Sequence, residues 1–464
     1  TDGALAAAVG HVMLKENYID RAYLARYTDF SPEVEAHYRN RTPEWAEAIC
    51  GVPAEEIVAF ARLYGQTDRA FMRVGYGFSR SRNGAAQLHA ATCLPALGAK
   101  WKHRGGGALY SNSAIYPWDK TMIEGKDRVD PKVRVLDMSR IGPVLVGEPE
   151  ALKGGPPVTA MLVQSTNPAV VAPEQTKVIA GLLREDLFLC VHEQLPTETV
   201  KYADIVLPAT SFLEHDDIYQ GGGHTFIQMG AKVIDPHGQS RSNHEVLRGL
   251  AKRLGAEHPG FDMTSWELAD WTLKASGLPD AATLKERRWH DCAIPFERAH
   301  FLDGFGTPDK RFHFRPDWKS IGPAFAGLPT LPDHLDTIEK ATEEHPFRMT
   351  TSPARQFLNT SFTEMPTSVA REVRPSLLLH PDDAARLGVV EGGKVRVGNR
   401  RGDVLLHAKL FDGLRPGVVV AEGIWPNSRH VEGKGINVLI GADAAPPNGG
   451  AVFHDTAVWA RAES

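Results

Sequence analysis

Cysteine is scarce: Cys50, Cys93, Cys190 and Cys292 are the only four in 464 residues. No two of them form a CxxC, so this stretch offers no zinc ribbon and no local ligand set for an iron–sulfur cluster. Thiols this scattered also argue against a secreted disulfide scaffold. Long apolar runs are missing as well. No segment supplies the roughly 20 consecutive apolar residues that a bilayer-crossing helix needs, so no membrane span is expected. Charge of one sign is missing: 52 basic and 57 acidic side chains leave a net charge of -5, which predicts no nucleic-acid footprint. What remains is ordinary. A hydrophobic fraction of 42% and a charged fraction of 23% exclude a disordered chain, a fibre and a coiled coil. The length suggests about three units, or two large ones.

Residues 1–65 read as helices. Leu5, Val9, Val12 and Met13 fall at helical spacing behind Thr1 or Asp2 as caps, and a helix from Pro53 to Ala61 stops at Gly65. The rhythm then changes. Ala70–Val74, Val158–Gln164, Leu187–Val191 and Ile205–Leu207 are short apolar runs. Helical stretches near 85–97, 174–184 and 197–202 follow or separate them. Strand, polar loop, helix, strand is the signature of a parallel, doubly wound α/β sheet. Capping boxes at Ser242–Glu245 and Thr264–Glu267 open two further helices, ending at Gly255 and near Gly277. Residues 280–345 are irregular and aromatic-rich. From Phe347 the pattern turns to β, with strands at 376–379, 394–397, 404–410 and 418–421 and a hairpin turn at Asn399–Gly402. Such spacing fits a compact C-terminal β-barrel. The expected organisation is therefore an α/β region over 1–255, a packed connecting region over 256–345 and a barrel over 346–464.

In an open parallel sheet, ligands bind beyond the carboxyl ends of the strands. The first end carries Gly75-Tyr-Gly77 followed by Arg80, Arg82 and Asn83. Glycines permit close backbone approach to a phosphate and arginines can neutralise it, yet the run is not GxGxxG and an ordinary strand-to-helix turn explains it equally well. The second end is Ser165-Thr-Asn167-Pro168, whose polar groups suit either a ligand or a turn. The third is His192-Glu193-Gln194. A carboxylate there can accept two parallel hydrogen bonds from a guanine edge, which adenine does not offer, whereas an isolated Glu is otherwise a surface residue. Thr197 and Thr199 follow, with helix capping as the simpler role. The fourth end leads into Glu214-His215-Asp216-Asp217 and then Gly221-Gly-Gly223-His224. Its spacing matches no metal motif, so a loop lining a cleft is expected rather than a metal centre. No GxSxG and no convincing Cys–His pair supplies a nucleophile. The chain thus holds ligand-type loops without a reactive group of its own.

Taken in order, these segments resemble the molybdopterin oxidoreductases, the broad family of dimethyl sulfoxide reductase and formate dehydrogenase. His192-Glu-Gln-Leu-Pro-Thr-Glu-Thr199, continued by Tyr202–Glu214, looks like a family signature. Thr1–Leu5, Gly105–Gly107, Val389–Gly392 and Arg401–Val404 agree with further family segments. The resemblance implies a bis(molybdopterin guanine dinucleotide) cofactor with molybdenum, and a barrel of double-psi type. It places Glu193 on the guanine (the family's usual residue there is Asp) with Asn167 and Thr199 lining the same site. Gly75, Arg80 and Asn83 are the phosphate-loop candidates. In the barrel, Ser352, Arg355 and Asn359 resemble the loop that touches the pterin, and Asn437 resembles the family's Asn-x-Leu-Thr, with Ile440 in place of the Thr. It implies no catalytic or metal-ligating residue within this stretch. Family members carry an N-terminal part with an iron–sulfur site and the molybdenum ligand. On this resemblance the chain is expected to be the C-terminal portion of a longer enzyme, inactive alone, working with a small-molecule substrate and an electron-transfer partner protein. A cytoplasmic location is expected, and a leader in the upstream part would make it periplasmic. The competing expectation is a cofactor-free structural relative, as in the large iron–sulfur subunit of respiratory complex I.

Overall fold

The computed structural model describes residues 1–446 and 449–463. Its residues group into two compact units, each assembled from sequence-distant stretches. One comprises Thr1–Tyr110, Ile294–Thr350 and Asp443–Val458; the other comprises Ser111–Ala293, Thr351–Ala442 and Trp459–Ser464.

In the first unit the Asp2–Lys15 helix is buried along most of its length, because Ala4, Ala6, Ala7, Ala8 and Gly10 present almost no side-chain bulk. The Pro32–Arg39, Pro43–Cys50, Ala54–Gln66 and Gly84–Leu97 helices pack around it. Pro32 and Pro43 occupy first turns, where their missing N–H costs nothing, and Ser31 and Thr42 accept the N–H bonds of Val34 and Trp45. The sequence pattern placed Ala70–Val74 in the same sheet as the later strands. The structure instead pairs β1 (Phe71–Arg73) in parallel with β2 (Gly107–Leu109) as a separate two-stranded sheet. A three-residue strand carries no register information of its own, so its partner is chosen by tertiary packing.

In the second unit, β3 (Ala160–Gln164), β4 (Phe188–Glu193) and β5 (Ile205–Pro208) form a parallel sheet in that order. Val163, Leu189 and Val191 are buried on one face against the Ile141–Leu145 and Gln175–Leu182 helices. The helix crossing is tight: a Cβ on Gly181 would lie 2.3 Å from Leu145 Cβ. A second, antiparallel sheet joins β6 (Asp217–Gln220), β7 (Phe226–Gly230) and β8 (His290–Asp291). The capped Ser265–Ala275 helix and the Ala281–Arg287 helix share its core.

The β-rich C-terminal region is a closed six-stranded barrel in the order β10-β12-β11-β14-β9-β13. Its strands are β9 (Phe347–Ser352), β10 (Ser376–Leu379), β11 (Lys394–Asn399), β12 (Gly402–Leu410), β13 (Val418–Glu422) and β14 (Thr456–Ala462). β11 and β12 form the expected hairpin, with Asn399 opposite Gly402. β9 and β14 complete the ring, and closure removes the exposed strand edges of an open sheet.

Candidate functional site

The carboxyl ends of β3, β4 and β5 are stitched together by one passing segment. Arg241 N–H donates to Pro208 O (3.1 Å), and Arg241 O receives Thr210 N–H (3.2 Å). His192, fully buried, lies between Gln164 Nε2 and Arg241 O at 3.1 and 3.0 Å. With these partners Nδ1 accepts from the Gln164 amide and Nε2 donates to the carbonyl. Gln194 Nε2 donates to Thr210 O (3.0 Å), and Asn243 Nδ2 reaches Ser165 Oγ (3.4 Å).

Beside this stitching opens a cleft of about 700 Å³, within the range of small-molecule sites. Ser165, Gln194, Thr210, His215, Asn243 and Lys120 are its principal hydrogen-bonding side chains, with Trp118, Phe212 and Tyr219 as aromatic wall. His215 Nδ1 and Thr210 Oγ1 share a hydrogen bond of 2.8 Å, while Asp217 stands 3.9 Å from Nε2. Glu214 turns away and anchors the loop, accepting from Ser211 N and His237 N at 2.6 Å each. The expected loop is in fact a short turn running into β6, and its residues His215–Gln220 line the cleft.

Glu193 closes β4. One carboxylate oxygen accepts the N–H of Gln194 (2.8 Å), and burial pushes the carboxyl pKa upward. Asn167 and Thr199 lie together, but they face each other. Thr199 Oγ1 donates to Asn167 Oδ1 (2.7 Å) and in turn accepts the N–H of Ala169 (3.1 Å). Asn437 is sealed in the same region, its amide donating to Val170 O (2.7 Å). Gln175 and Asn427 extend this buried polar seam. Gln175 Nε2 donates to Ala169 O and Asn427 Oδ1, and Gln175 Oε1 receives Gly435 N–H, all at 2.9 Å. One member stands apart: His430 is 7% exposed, and neither ring nitrogen has a hydrogen-bond partner among the described residues. Burial lowers its pKa to about 4.

Ser352 closes β9, and Arg355 and Asn359 fall on the loop that follows it. Ser352 O receives Gly423 N–H (2.8 Å), and Arg355 is exposed with no ion pair among the described residues. Asn359 sits in the left-handed region (φ 52°) of a tight turn between Leu358 and Ser361. In the first unit, Gly75 faces open space, since a Cβ there would meet nothing within 4 Å. Arg80 is exposed, with its guanidinium over the Phe453 ring. Asn83, by contrast, is fully buried, donating to Leu335 O (2.9 Å) and accepting from Gln87 Nε2 (2.6 Å).

Sequence reasoning did not single out Gln164, Gln175, Thr210, Asn243 or Asn427. The rule that ligands gather at strand ends pointed at Thr210. It reaches Gln164 too, which closes β3, while nothing in the local sequence marks the other three, whose partners lie up to about 260 positions away.

The fold matches that of a solved structure, acetylene hydratase from Pelobacter acetylenicus, with a TM-score of 0.79 over 99% of this chain and 70% of that one, at 17% identity. Two family models match the sequence itself: "Molybdopterin oxidoreductase" over residues 1–253, more than half of the chain, and "Molydopterin dinucleotide binding domain" over 347–457. The chain belongs to the molybdopterin oxidoreductase family. Relatives include a probable oxidoreductase, YoaE, of Bacillus subtilis, 35% identical over 98% of this chain. Dimethyl sulfoxide reductase DmsA of Escherichia coli is 25% identical over 95% of it. The chain spans 65% and 61% of the lengths of these two proteins, under two thirds of each. Family membership and the dinucleotide-binding domain together imply a molybdopterin guanine dinucleotide cofactor carrying molybdenum. The strand-end cleft offers such a group amide, hydroxyl and imidazole donors, one lysine and an aromatic wall, with Asp216 and Asp217 also among its lining residues. Glu193 adds a carboxylate that, among the described residues, accepts from its own neighbour's N–H. No helix of the described residues is long and apolar enough to cross a membrane.

Proposed function

We propose that this chain forms the cradle of a bis(molybdopterin guanine dinucleotide) cofactor in an enzyme of two-electron redox or oxygen-atom-transfer chemistry. The cleft at the carboxyl ends of β3–β5 carries this reading, because it stands where a parallel sheet binds nucleotides, and Glu193, which closes β4, directly precedes Gln194 of its lining. When bound, the cofactor supplies the redox-active metal. This chain's residues hold and orient it.

Within that reading, Glu193 accepts the two adjacent N–H groups of guanine, and Gln194, Thr210 and His215 contribute donors along the cleft. Gly75 lets the backbone approach a phosphate, and Arg80 and Arg355 offer charge to phosphate or pterin. Ser352 and Asn359 shape the Arg355 loop. Asn167, Thr199 and Asn437 support the site from beneath, because their side chains are already committed to one another or to the backbone. Asn83 likewise fixes its turn from inside. The functional division follows residues 1–255, 256–345 and 346–464. An upstream part supplies the metal ligand and an iron–sulfur site, so the chain alone turns over no substrate. Small-molecule substrates and an electron-transfer protein partner the complete enzyme.

The test is nucleotide discrimination on the full chain. GDP is expected to bind more tightly than ADP by roughly tenfold, the value of one good charge-assisted hydrogen-bond pair. Glu193→Ala should erase the difference. Equal affinities in the unaltered chain overturn the guanine assignment.

A further inference from the structure

The triglycine loop is not used by the dinucleotide reading, yet it is built with care. Asn112 Nδ2 donates to Gly221 O (3.2 Å) and His224 O (2.6 Å), and the Tyr116 hydroxyl donates to the same two carbonyls at 3.0 and 2.8 Å. The loop is thereby clamped at both ends. It borders a groove of about 570 Å³ on the β6–β7–β8 sheet, lined by Tyr219, Gln220, His224, Phe226, Gln228 and Trp289 over a floor of Ile227. Two of its rings lie on glycines. A Cβ at Gly221 would stand 2.4 Å from His224 Nε2, and one at Gly230 would stand 2.1 Å from the Tyr219 ring. Any larger residue at either position would displace a wall of the groove.

The lining has a distinct chemistry. Phe226 and Trp289 meet at 72° with centroids 5.1 Å apart, a corner offering one ring face and one ring edge, and they are 41% and 56% exposed. Such adjacent, water-facing aromatics mark a contact site rather than scattered surface apolarity. The polar groups around the corner are mainly donors. His224 Nδ1 accepts Phe226 N–H (3.1 Å), which leaves its Nε2 carrying the proton. Gln220 Oε1 accepts from Trp118 Nε1 (2.5 Å), leaving its NH2 group to donate. The Tyr219 hydroxyl is buried without a partner among the described residues. No carboxylate lines the groove.

We propose that this groove binds an uncharged planar ring with carbonyl groups on its edge, of the isoalloxazine or quinone class. The flat ring stacks in the Phe226–Trp289 corner, and its carbonyls accept from His224 and Gln220. A sugar fits the chemistry less well, because its many hydroxyls seek the charged acceptors that the groove lacks. A polyproline segment docks between roughly parallel rings, and this corner is perpendicular.

Equilibrium dialysis of the full chain with riboflavin and with 2,3-dimethyl-1,4-naphthoquinone tests the assignment. Saturable, one-to-one binding of at least one probe is expected. Trp289→Ala and Phe226→Ala should each weaken it about tenfold, the ordinary value of one stacked aromatic. Gly221→Ala should weaken it by displacing His224. Trp289 is exposed, so its variant should keep the far-ultraviolet circular dichroism and melting temperature of the parent, and Trp289→Phe should restore most of the binding. The proposal is overturned by absence of saturable binding of both probes, by binding indifferent to Trp289→Ala and Phe226→Ala, or by a preference for maltotriose or oligoproline over both rings.

Discussion

Two residues show how differently burial acts on ionisable groups. Glu193 is pushed upward in pKa because its carboxylate loses water at the end of β4. A carboxylate accepts two guanine N–H groups only while ionised. GDP affinity should therefore fall on acidification with a midpoint above the usual glutamate range, and Glu193→Gln should flatten the profile; an unchanged profile in that variant would assign the pH effect elsewhere. His430 moves the opposite way, to about 4, because burial penalises the imidazolium. The folded state keeps this ring neutral, whereas the unfolded chain protonates it near pH 6.5. Stability is thus fully present above pH 6.5 and declines as pH falls towards 4, by at most about 3 kcal/mol. Melting temperatures of the parent and of His430→Gln across pH 4–7 measure it, and the variant should lose most of the slope.

At the scale of the element, the Gln175–Leu182 helix carries both the sheet's covering layer and one side of the buried polar seam. Gly181 lets it approach the Ile141–Leu145 helix. Helix propensity alone would make Gly181→Ala stabilising by roughly 0.5–1 kcal/mol. The 2.3 Å approach to Leu145 decides otherwise: overpacking should make the variant less stable by about 1–3 kcal/mol in chemical denaturation. A raised denaturation midpoint would show that the crossing can relax. The element scale is also where sequence patterns served best. Both capping boxes form as read, with Ser242 and Thr264 each exchanging hydrogen bonds with the glutamate three residues on. Such motifs close within one helical turn, so neighbours in sequence contain all the information. β1 shows the limit: three residues carry no periodicity with which to choose a partner, and β2 lies more than thirty residues on.

At the scale of the whole molecule, the chain is a family member that spans under two thirds of the length of the relatives it matches. On the cradle reading, the chain purified alone should contain no stoichiometric molybdenum by elemental analysis, while still distinguishing GDP from ADP. Stoichiometric metal in the isolated chain would sink the view that its ligand lies upstream. The near-balanced charge of -5 gives no long-range field of one sign, so binding should depend on local contacts more than on steering.

Apart from the helix expected to stop at Gly65, which runs on as Ala54–Gln66, sequence by itself determined the class of fold, the family, the order of strand-end loops and the capped helix starts. Each of those rests on short-range patterns: periodicity, capping chemistry and segments in a fixed order. Tertiary structure alone decided which polar side chains remain available to a ligand. Asn167, Thr199, Asn83 and Asn437 read as ligand residues by type, yet their hydrogen bonds are spent on Leu335, Gln87, Ala169, Val170 and each other. The physical reason is that a buried amide or hydroxyl must be satisfied, and its partner can come from anywhere in the chain. The same logic gave the triglycine loop its meaning: glycine is conspicuous in sequence, but only the folded chain shows that Gly221 and the distant Gly230 each make room for a ring.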